Sequence, residues 1–317
     1  MRVLVTGASG FIGRALVNEL AAQGHRVRAA MRTPADIFPR AVEVVAVSDL
    51  ARPIEWRPLI RDIEAVVHLA GIAHAGPGIA EEVYDRVNRA ATAGLAAAAA
   101  GGRIQRLVFV SSIRAQTGPA CPHVLTEADP PRPTDAYGRS KLAAEEAVRA
   151  ANVPYTILRP ALIYGPGVKG NLASLMRLAR SPWPLPFGAL AGRRSLLARE
   201  NLVAAIHFVL GAPSTAGETF AIADPEPLTL AEIVRALRAG EQRRPGLIPI
   251  PAILIAAPLK AIGRSDLWDR LGGDSVVEPA KLMAAGWRPA IETRAGLAAM
   301  VQAASPLKSG TASRKMP

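Results

Sequence analysis

Tyr137 and Lys141 are the two residues whose types and spacing most directly suggest chemistry. They lie four apart in a segment that predicts a helix, with Glu145 and Glu146 following. Residues four apart share a helix face, so the phenol and the ammonium can point into one site. A free tyrosine has a pKa of about 10 and is a poor base at neutral pH, but a neighbouring cation favours the phenolate. The spacing therefore predicts a proton-transfer pair.

A serine pair precedes this helix at the end of a predicted strand. Ser111 and Ser112 follow an apolar run and lie about 25 residues before Tyr137. A hydroxyl there can hydrogen-bond a reacting oxygen and share its developing charge. The alternative is that the serines only cap local backbone. We expect a catalytic set of Ser112, Tyr137 and Lys141, with Ser111 as the alternative serine.

A glycine-rich turn opens the chain, between a predicted strand at 2–6 and a helix that ends near Gln23. Glycines let the backbone turn tightly and approach a pyrophosphate, and the helix N-terminus offers unpaired N–H groups to the anion. The turn predicts a dinucleotide cofactor, whose oxidised nicotinamide would further favour a Tyr137 phenolate. The expected contacts are Gly7, Ser9, Gly10, Phe11, Ile12 and Gly13.

The end of the second strand bears on which dinucleotide binds. An acidic residue there binds the ribose hydroxyls of NAD, whereas an arginine can pair with the 2′-phosphate of NADP. The chain has Arg32 at this place and no acid before Asp36. NADP is therefore favoured, and NAD stays open because Arg32 could be an ordinary surface arginine. Asp49 and Leu50, after the third strand, are expected near the adenine.

Composition excludes several classes of protein. Half of the 317 residues are apolar and a fifth are charged, as in a soluble globular enzyme. The net charge is +12, but only six of the 38 basic residues are lysines, and the arginines are scattered along the chain. A protein that binds nucleic acid would concentrate its basic residues on one face or in one run. We expect the charge to attract phosphorylated ligands. Cys121, the single cysteine, permits no internal disulfide and fits a cytoplasmic protein.

Neither a membrane nor a metal is expected as a partner. The chain opens directly with a strand, which leaves no room for a signal peptide. The apolar stretch 245–258 carries four prolines and is too short to span a bilayer, so we expect buried or interfacial structure, with membrane contact a distant second. His74 and His207 have no ligand-like spacing and are expected to be local structure.

Strands and helices alternate through the first half of the chain. Because helices of this length join successive strands, the strands should pair in parallel through right-handed crossovers. The predicted strands are 2–6, 27–31, 43–47, 65–69 and 107–111, and a long Ala-rich helix covers about 81–100. The sequence thus predicts an α/β fold, a Rossmann-type doubly wound parallel sheet.

Beyond about residue 160, prolines cluster and helical patterns recur at 171–180, 201–210 and 229–239. This pattern of prolines and helical segments predicts a smaller, mostly helical C-terminal lobe that binds substrate. We expect a cofactor domain over 1–160, to which some later segments return, and a substrate lobe over 161–304. The tail 305–317 lacks an apolar pattern and is expected to be disordered.

These motifs together resemble the extended short-chain dehydrogenase/reductase family, from Val3 to about Leu297. Besides the glycine turn, His68-Leu-Ala-Gly71 resembles its fourth-strand motif, and Asn88 lies where the family has a structural asparagine. Arg159-Pro160 and the Tyr164-Gly-Pro segment match two further signatures. The resemblance implies that Pro160 and the fourth-strand motif line the cofactor, the latter through Leu69, Ala70 and Gly71.

The second half of the chain resembles bacterial members that act on UDP-sugars. The similar segments are 170–172, 184–188, 193–196, 201–203 and 286–289. The resemblance implies that Asn171 and Arg194 face the nucleotide diphosphate, for which amide and guanidinium donors are suited. The alternative for Arg194 is a solvated loop. Arg114 is a further candidate contact, although the segment 111–118 departs from the nearest relatives.

The resemblance implies redox chemistry at a carbon, expected to be C4, of a nucleotide-linked sugar, as a UDP-sugar 4-epimerase or a 4-keto reductase. Dehydration is disfavoured because Ile113-Arg114 follows the serine where sugar dehydratases have Asp-Glu. One alternative is an NADPH-dependent reductase of a non-sugar ketone or aldehyde, like dihydroflavonol reductases. Another is a non-enzymatic protein of the same fold, either a dinucleotide sensor or a scaffold. The Ser-Tyr-Lys set argues against it, because a sensor has no use for a phenol with a shifted pKa. By family analogy we expect a homodimer, paired through helices near 81–100 and 137–150.

Overall fold

The computed structural model describes residues 1–73 and 79–304. His74 and the tail 305–317, for which the sequence predicted local structure and disorder, lie outside the described residues. The strands are β1 Arg2–Thr6, β2 Arg26–Met31, β3 Glu43–Ala46, β4 Ala65–His68, β5 Arg106–Val110, β6 Tyr155–Pro160, β7 Leu162–Tyr164, β8 Arg193–Arg194, β9 Leu196–Ala198, β10 Glu218–Ile222 and β11 Leu228–Thr229.

The helices include one π-helical segment, Asp85–Ala90, which joins the helices on either side of it. The α-helices are α1 Phe11–Ala22, α2 Trp56–Ile60, α3 Glu81–Tyr84, α4 Ala91–Ala100, α5 Ala136–Ala150, α6 Gly170–Ala179, α7 Arg199–Gly211, α8 Leu230–Gly240, α9 Ala252–Ala261, α10 Ser265–Gly272, α11 Ala280–Ala284 and α12 Thr293–Ala304. Short 3₁₀ turns lie at Ile113–Ala115 and Pro213–Thr215.

A parallel sheet forms the centre of the described chain. Its seven strands run in the order β10-β6-β5-β4-β1-β2-β3, and every pair is parallel. The chain moves outward from β1 in one direction and then from β4 in the other, which is the doubly wound topology. The predicted Rossmann-type fold class is therefore confirmed.

Each face of the sheet is covered by apolar helices. On one face, Leu16 of α1 and Ile206 of α7 pack in a cluster with strand residues such as Val5. On the other, Leu95 of α4 and Val148 of α5 pack in a second cluster. Burial on both faces explains why the strands are almost continuously apolar. It also fixes the orientation of α1 and α5, the two helices that begin at the candidate site.

The second half of the chain contributes to both parts of the molecule. β10 extends the main sheet beyond β6, and α7 packs against α1. The remaining segments form a mostly helical region with two small two-stranded sheets. Tyr164 is fully buried there, and its hydroxyl donates to Asp224 Oδ2 at 3.0 Å. The division into a cofactor domain over 1–160 and a substrate lobe over 161–304 stays a prediction.

The proline-rich stretch 245–258 is not buried, so of its two expected environments only the interfacial one stays a prediction. It was expected to be buried or interfacial, yet within α9 only Ala256 is buried. Ile253 and Leu254 are 67% and 63% exposed. Pro258 lies inside the helix rather than ending it. None of the described helices is both long and apolar enough to cross a membrane.

A buried ion pair fixes α5 against the sheet. Glu145 of α5 is completely buried, and its carboxylate accepts hydrogen bonds from Arg159 Nε at 2.9 Å and Nη2 at 2.6 Å. Ser111 Oγ donates to Glu145 Oε1 at 2.6 Å, and Arg149 Nη2 donates to Oε2 at 2.9 Å. Several donors therefore compensate the desolvation of this carboxylate.

Replacing Glu145 by Gln should lower the free energy of unfolding by about 3–5 kcal/mol, because the buried guanidinium of Arg159 loses its counter-charge. Glu226→Gln is a matched control, since its pair with Arg294 is about 45% exposed on both sides. It should change stability by less than about 1 kcal/mol. Urea unfolding measures both variants, and equal losses would contradict the assigned role of the buried pair.

Candidate active site

The candidate site lies at the carboxyl edge of the sheet, where β1, β4 and β5 end. The chain turns in opposite directions on the two sides of the β1–β4 boundary, and ligands of doubly wound sheets bind in the crevice outside such a switch point. Three predicted segments follow these strands directly. They are the glycine turn after β1, Leu69–Gly71 after β4 and the serine pair after β5.

The glycine turn is packed too closely for side chains. Gly7 has a φ of +70°, and a Cβ there would lie 2.9 Å from the backbone nitrogen of Ala70. A Cβ on Gly13 would lie 2.2 Å from the carbonyl oxygen of Gly7. Gly10 precedes α1 with an extended backbone and no side-chain cap. The first turn of α1 therefore keeps N–H groups for an anion, as a dinucleotide pyrophosphate requires.

Other predicted cofactor contacts surround this turn. Ser9 is exposed, Phe11 and Ile12 are half-buried at the start of α1, and Pro160 is buried at the end of β6. The Phe11 ring lies 5.2 Å from the guanidinium carbon of Arg199, which joins the glycine turn to α7. Together with Leu69 and Ala70, these residues fit a dinucleotide laid across the strand ends.

The residues expected to distinguish the two dinucleotides lie at the ends of β2 and β3. Arg32 follows β2 directly, is exposed, and makes no hydrogen bond or ion pair with any other described residue. Asp49 is also exposed, and its carboxylate accepts from the N–H of Ala51 at 3.0 Å. Leu50 is half-buried and packs against the core. Arg32 is thus available to an anionic ligand.

The structure brings two of the three predicted catalytic side chains together. Ser112 follows β5 and Tyr137 lies in the first turn of α5, and Ser112 is near enough to the Tyr137 phenol to lower its pKa. Ser112 Oγ also accepts from the N–H of Arg114 at 3.2 Å. The alternative serine, Ser111, is buried and donates to Glu145. The geometry therefore favours Ser112 over Ser111 as the substrate-facing hydroxyl.

The pKa of the Tyr137 phenol is raised above its ordinary value. Burial is the main cause, and the nearby Asp135 carboxylate and Tyr84 phenol raise the pKa further. The neighbouring Ser112 hydroxyl and the charge of Arg114 lower it in part. The phenol of Tyr137 is therefore neutral in the described protein, and positive charge brought close to it would lower its pKa.

Lys141 shares the helix face of Tyr137, but its ammonium is held elsewhere. Lys141 Nζ donates to the carbonyl oxygen of Val110 at 2.8 Å and lies 4.4 Å from the centre of the Phe109 ring. Burial lowers the pKa of this lysine to about 8, although Glu145 opposes the shift. Lys141 therefore lies under the site at the end of β5, and its role toward Tyr137 stays a prediction.

Arg114 lies beside Tyr137 and contacts the start of α5. Its Nη2 donates to Asp135 Oδ2 at 2.5 Å, and Asp135 caps α5 by accepting from the N–H of Gly138 at 2.7 Å. Burial acts to raise the pKa of Asp135, but these hydrogen bonds and the charges of Arg114 and Arg270 lower it overall. The expected substrate contact of Arg114 stays a prediction; its described contact orients the first turn of α5.

A buried hydrogen-bond chain through His68 was not anticipated. Thr92 Oγ1 donates to the carbonyl of Asn88 at 2.5 Å, so it must accept its 3.0 Å bond from His68 Nε2–H. The other ring nitrogen, Nδ1, then accepts from Thr6 Oγ1 at 2.7 Å, and that oxygen accepts from the N–H of Ala70 at 3.3 Å. Burial lowers the pKa of His68 to about 3, aided by the charge of Lys141. His68 is therefore neutral, with its proton on Nε2.

Asn88 extends this chain to the catalytic helix. Its Oδ1 accepts from the N–H of Ile72 at 2.9 Å, and its Nδ2 donates to Ser140 Oγ at 3.0 Å. Ser140 in turn donates to the carbonyl of Tyr137 at 2.8 Å. Asn88 lies in the π-helical segment, which inserts one extra residue per turn and is common at functional sites. The signal in the sequence was His68 itself, a lone polar residue in an apolar strand.

The two residues expected to face a substrate diphosphate lie on separate elements. Asn171 is exposed in the first turn of α6 and makes no hydrogen bond to the described chain. Arg194 of β8 is half-buried and donates to the carbonyl oxygens of Arg270 and, at 3.1 Å, Gly273. Its Nε is buried without a partner. Burial lowers the pKa of this guanidinium, which nevertheless stays charged.

The described residues contain no group of three or more His, Cys, Asp and Glu side chains placed to hold a metal ion. Of the two histidines considered in the sequence, only His207 is described. It packs edge-to-face on His25, with 5.4 Å between ring centres. Cys121 is a buried thiol next to His123, with 3.5 Å between Sγ and Nδ1.

Comparisons with known proteins identify the family of the chain. The family model described as the NAD dependent epimerase/dehydratase family matches residues 3–223. A UDP-glucose 4-epimerase from Vibrio cholerae is 33% identical over 314 residues, which cover 95% of this chain and 94% of that protein. A ceramide reductase from Caulobacter vibrioides is 34% identical over 275 residues, or 85% of this chain and 78% of that protein.

Solved structures show the same fold. MoeE5 in complex with UDP-glucuronic acid and NAD superposes with a TM-score of 0.77 at 24% identity, covering 96% of this chain and 99% of that one. Fold, site and relatives define an NAD(P)-dependent enzyme of the extended short-chain dehydrogenase/reductase type. The chain belongs to the NAD-dependent epimerase/dehydratase family.

The lowered pKa of Lys141 predicts a pH dependence of stability in the cofactor-free protein. The folded pKa is about 8 and the ordinary value is 10.5, so between these limits the unfolded chain binds more protons. The free energy of unfolding should therefore rise with pH across this window, by up to about 3 kcal/mol, relative to Lys141→Met. Urea unfolding from pH 7 to 10.5 measures the difference. Parallel curves for the two proteins would contradict the assigned burial of the ammonium.

Proposed function

We propose that the chain catalyses redox chemistry at C4 of a nucleotide-diphosphate sugar, as a UDP-sugar 4-epimerase or a 4-keto reductase. The observation that carries this proposal is the closely packed glycine turn, which fits a dinucleotide, together with Ser112 and Tyr137 as neighbours at the same carboxyl edge of the sheet. The family membership and the Vibrio cholerae relative support it.

The dinucleotide would supply the hydride chemistry, and the residues of the chain would handle the proton. Tyr137 moves a proton to or from the substrate oxygen at C4, while the Ser112 hydroxyl hydrogen-bonds that oxygen and stabilises its developing charge. As a neutral phenol, Tyr137 is ready to protonate a ketone oxygen. To remove a proton from a hydroxyl, it needs the cationic Lys141 and further positive charge nearby.

Asn171 and Arg194 are the proposed contacts of the substrate diphosphate. Asn171 is exposed at the start of α6. Arg194 donates two guanidinium N–H groups to backbone carbonyl oxygens, and its other guanidinium N–H groups are the ones proposed to bind the diphosphate. Arg114, which borders Tyr137, is the proposed contact nearer the sugar. Guanidinium and amide donors are suited to phosphate and hydroxyl oxygens.

A second candidate is an NADPH-dependent reductase of a non-sugar ketone or aldehyde. The exposed Arg32 after β2 favours it, because such an arginine suits the 2′-phosphate of NADP. The similarity to a ceramide reductase also supports a reductase with a different substrate. The catalytic residues would act in the same way, but Asn171 and Arg194 would have no phosphate to bind.

Turnover with UDP-glucose and other UDP-, TDP- and GDP-sugars tests the proposal. A 4-epimerase should form the C4 epimer, seen by NMR, without net oxidation or reduction of the dinucleotide, whereas a 4-keto reductase should consume NAD(P)H only with 4-keto sugars.

The Tyr137→Phe variant should lose at least about a hundredfold in turnover and keep its cofactor affinity. Tyr155 lies at the start of β6, at the edge of the sheet opposite the candidate site, so the matched control Tyr155→Phe should retain activity. Reduction of simple ketones without turnover of any nucleotide sugar would favour the second candidate.

We further propose that NADP is the preferred dinucleotide and that Arg32 binds its 2′-phosphate. Arg32→Asp should weaken NADPH binding by about tenfold or more, because a charge-assisted hydrogen bond is lost and a repulsive carboxylate replaces it. NADH binding should change little. Arg103→Asp, an exposed site before β5, should alter neither affinity. Tighter binding of NADH than NADPH by the unmodified protein would refute the assignment.

A further inference from the structure

Helix α9 turns an entirely apolar face to solvent. Its half-buried or buried positions include Ile255, Ala256 and Leu259, on the side toward the protein. Ile253 and Leu254 are 67% and 63% exposed, and Ile262, directly after the helix, is 71% exposed. Positions spaced by four form two adjacent exposed rows along the helix. The members of these rows, called here the α9 face, are Ile253, Leu254, Ala257, Pro258, Ala261 and Ile262.

Two more exposed apolar side chains, Ile248 and Trp183, lie in two segments that pair with each other just before α9. Ile248 is 45% exposed, and its N–H donates to the carbonyl of Leu185 at 2.9 Å. This pairing places the segment that carries Trp183 beside the residues that lead into α9. Trp183 is 73% exposed. Apolar side chains that are this exposed and this clustered mark an interaction site on a soluble protein. Tryptophan in particular is favoured at the boundary between apolar and aqueous phases.

The charges in the chain segment that carries the α9 face have one sign. From 242 to 265 the chain contains four basic residues and no Asp or Glu. Arg244, Lys260 and Arg264 are exposed, before the helix, in its last turn and just after it. Peripheral binding to a bilayer strengthens with the apolar area that is buried and with the attraction of nearby arginine and lysine to anionic headgroups.

The α9 face is connected to the candidate active site through α10. Helix α10 packs against α9, and the carbonyl oxygens of Arg270 and Gly273 at its end accept hydrogen bonds from Arg194. The charge of Arg270 also lowers the pKa of Asp135, the residue that caps the catalytic helix α5. The C-terminal end of α10 therefore reaches the rim of the site, and α9, which packs against α10, presents the apolar face.

We propose that the α9 face is a docking surface for an anionic membrane, and that the protein binds peripherally with the rim of its active site close to the bilayer. A second copy of the chain is a poorer occupant. A ten-residue helix is about 15 Å long and 10 Å wide, so the face covers far less than the roughly 800 Å² per partner of a stable interface. Two copies meeting through this face would also bring their bordering basic residues together.

Vesicle co-sedimentation of the full chain tests the proposal, with vesicles of phosphatidylglycerol and phosphatidylcholine against phosphatidylcholine alone. The protein should partition about tenfold or more better onto the anionic vesicles at low salt. Replacing Ile253 and Leu254 together by Ser should reduce this binding about tenfold. Lys260→Gln with Arg264→Gln should reduce it in the same vesicles. Val124→Ser, at a 50% exposed site outside the α9 face, is the matched control and should leave binding unchanged.

Three outcomes would overturn the proposal. The unmodified protein could fail to bind anionic vesicles, or the double Ser variant could bind as well as the unmodified protein. Alternatively, sedimentation velocity could show a dimer that the double Ser variant dissociates, without vesicle binding by either protein. Because both serines replace exposed side chains, the variant should unfold at the same temperature as the unmodified protein. The fluorescence of Trp183 gives a second reading, since docking should shift its emission to shorter wavelength and Trp183→Phe should remove that shift.

Discussion

The geometry of the site depends on the burial of one carboxylate. Glu145 has no exposed surface, and it is compensated by Arg159 from β6, Ser111 from the end of β5 and Arg149 from its own helix. These contacts fix α5 against two adjacent strands at a defined depth and rotation. Because Tyr137 and Lys141 are carried on that helix, their positions over the strand ends follow from this constraint.

A second buried network ties the glycine turn to the same helix. The chain of hydrogen bonds runs from Thr6 through His68, Thr92 and Asn88 to Ser140, one turn after Tyr137. Each hydroxyl in it donates one hydrogen bond and accepts another, and one ring nitrogen of His68 donates while the other accepts, which requires a neutral histidine. The element that would hold the dinucleotide and the element that would move the proton are thus positioned by one network. Such fully satisfied buried networks favour a single arrangement of the elements they join.

The sequence predicted the parts of this arrangement that depend on local pattern. The five predicted strands lie within about one residue of β1 to β5, and the turn at Gly7, Gly10 and Gly13 forms as expected, because strand periodicity and glycine geometry are local properties. β10 was not predicted, since nothing in 218–222 indicates that it pairs with β6 across more than fifty residues. The same limit hid the role of Glu145, whose partners come from three elements.

The side-chain environments were the least predictable part. The spacing of Tyr137 and Lys141 correctly placed them on one helix face, but not the carbonyl of Val110 that holds the ammonium. The apolar composition of 245–258 indicated buried or interfacial structure, and α9 exposes most of that surface, which excludes the first of the two. Periodicity indicates which residues share a face, and tertiary packing decides what that face meets. For α9, the described chain does not cover it.

The central proposal is that the protein holds Tyr137 as a neutral phenol, and that Tyr137 would act as a base once a bound oxidised dinucleotide adds positive charge nearby. Ultraviolet titration of the phenol, taken as the difference between the unmodified protein and Tyr137→Phe, measures this most directly. We predict that Tyr137 titrates above pH 10 without cofactor, and clearly lower when the oxidised dinucleotide is bound. An ordinary or lowered pKa in the cofactor-free protein, or a pKa that cofactor binding leaves unchanged, would contradict the account.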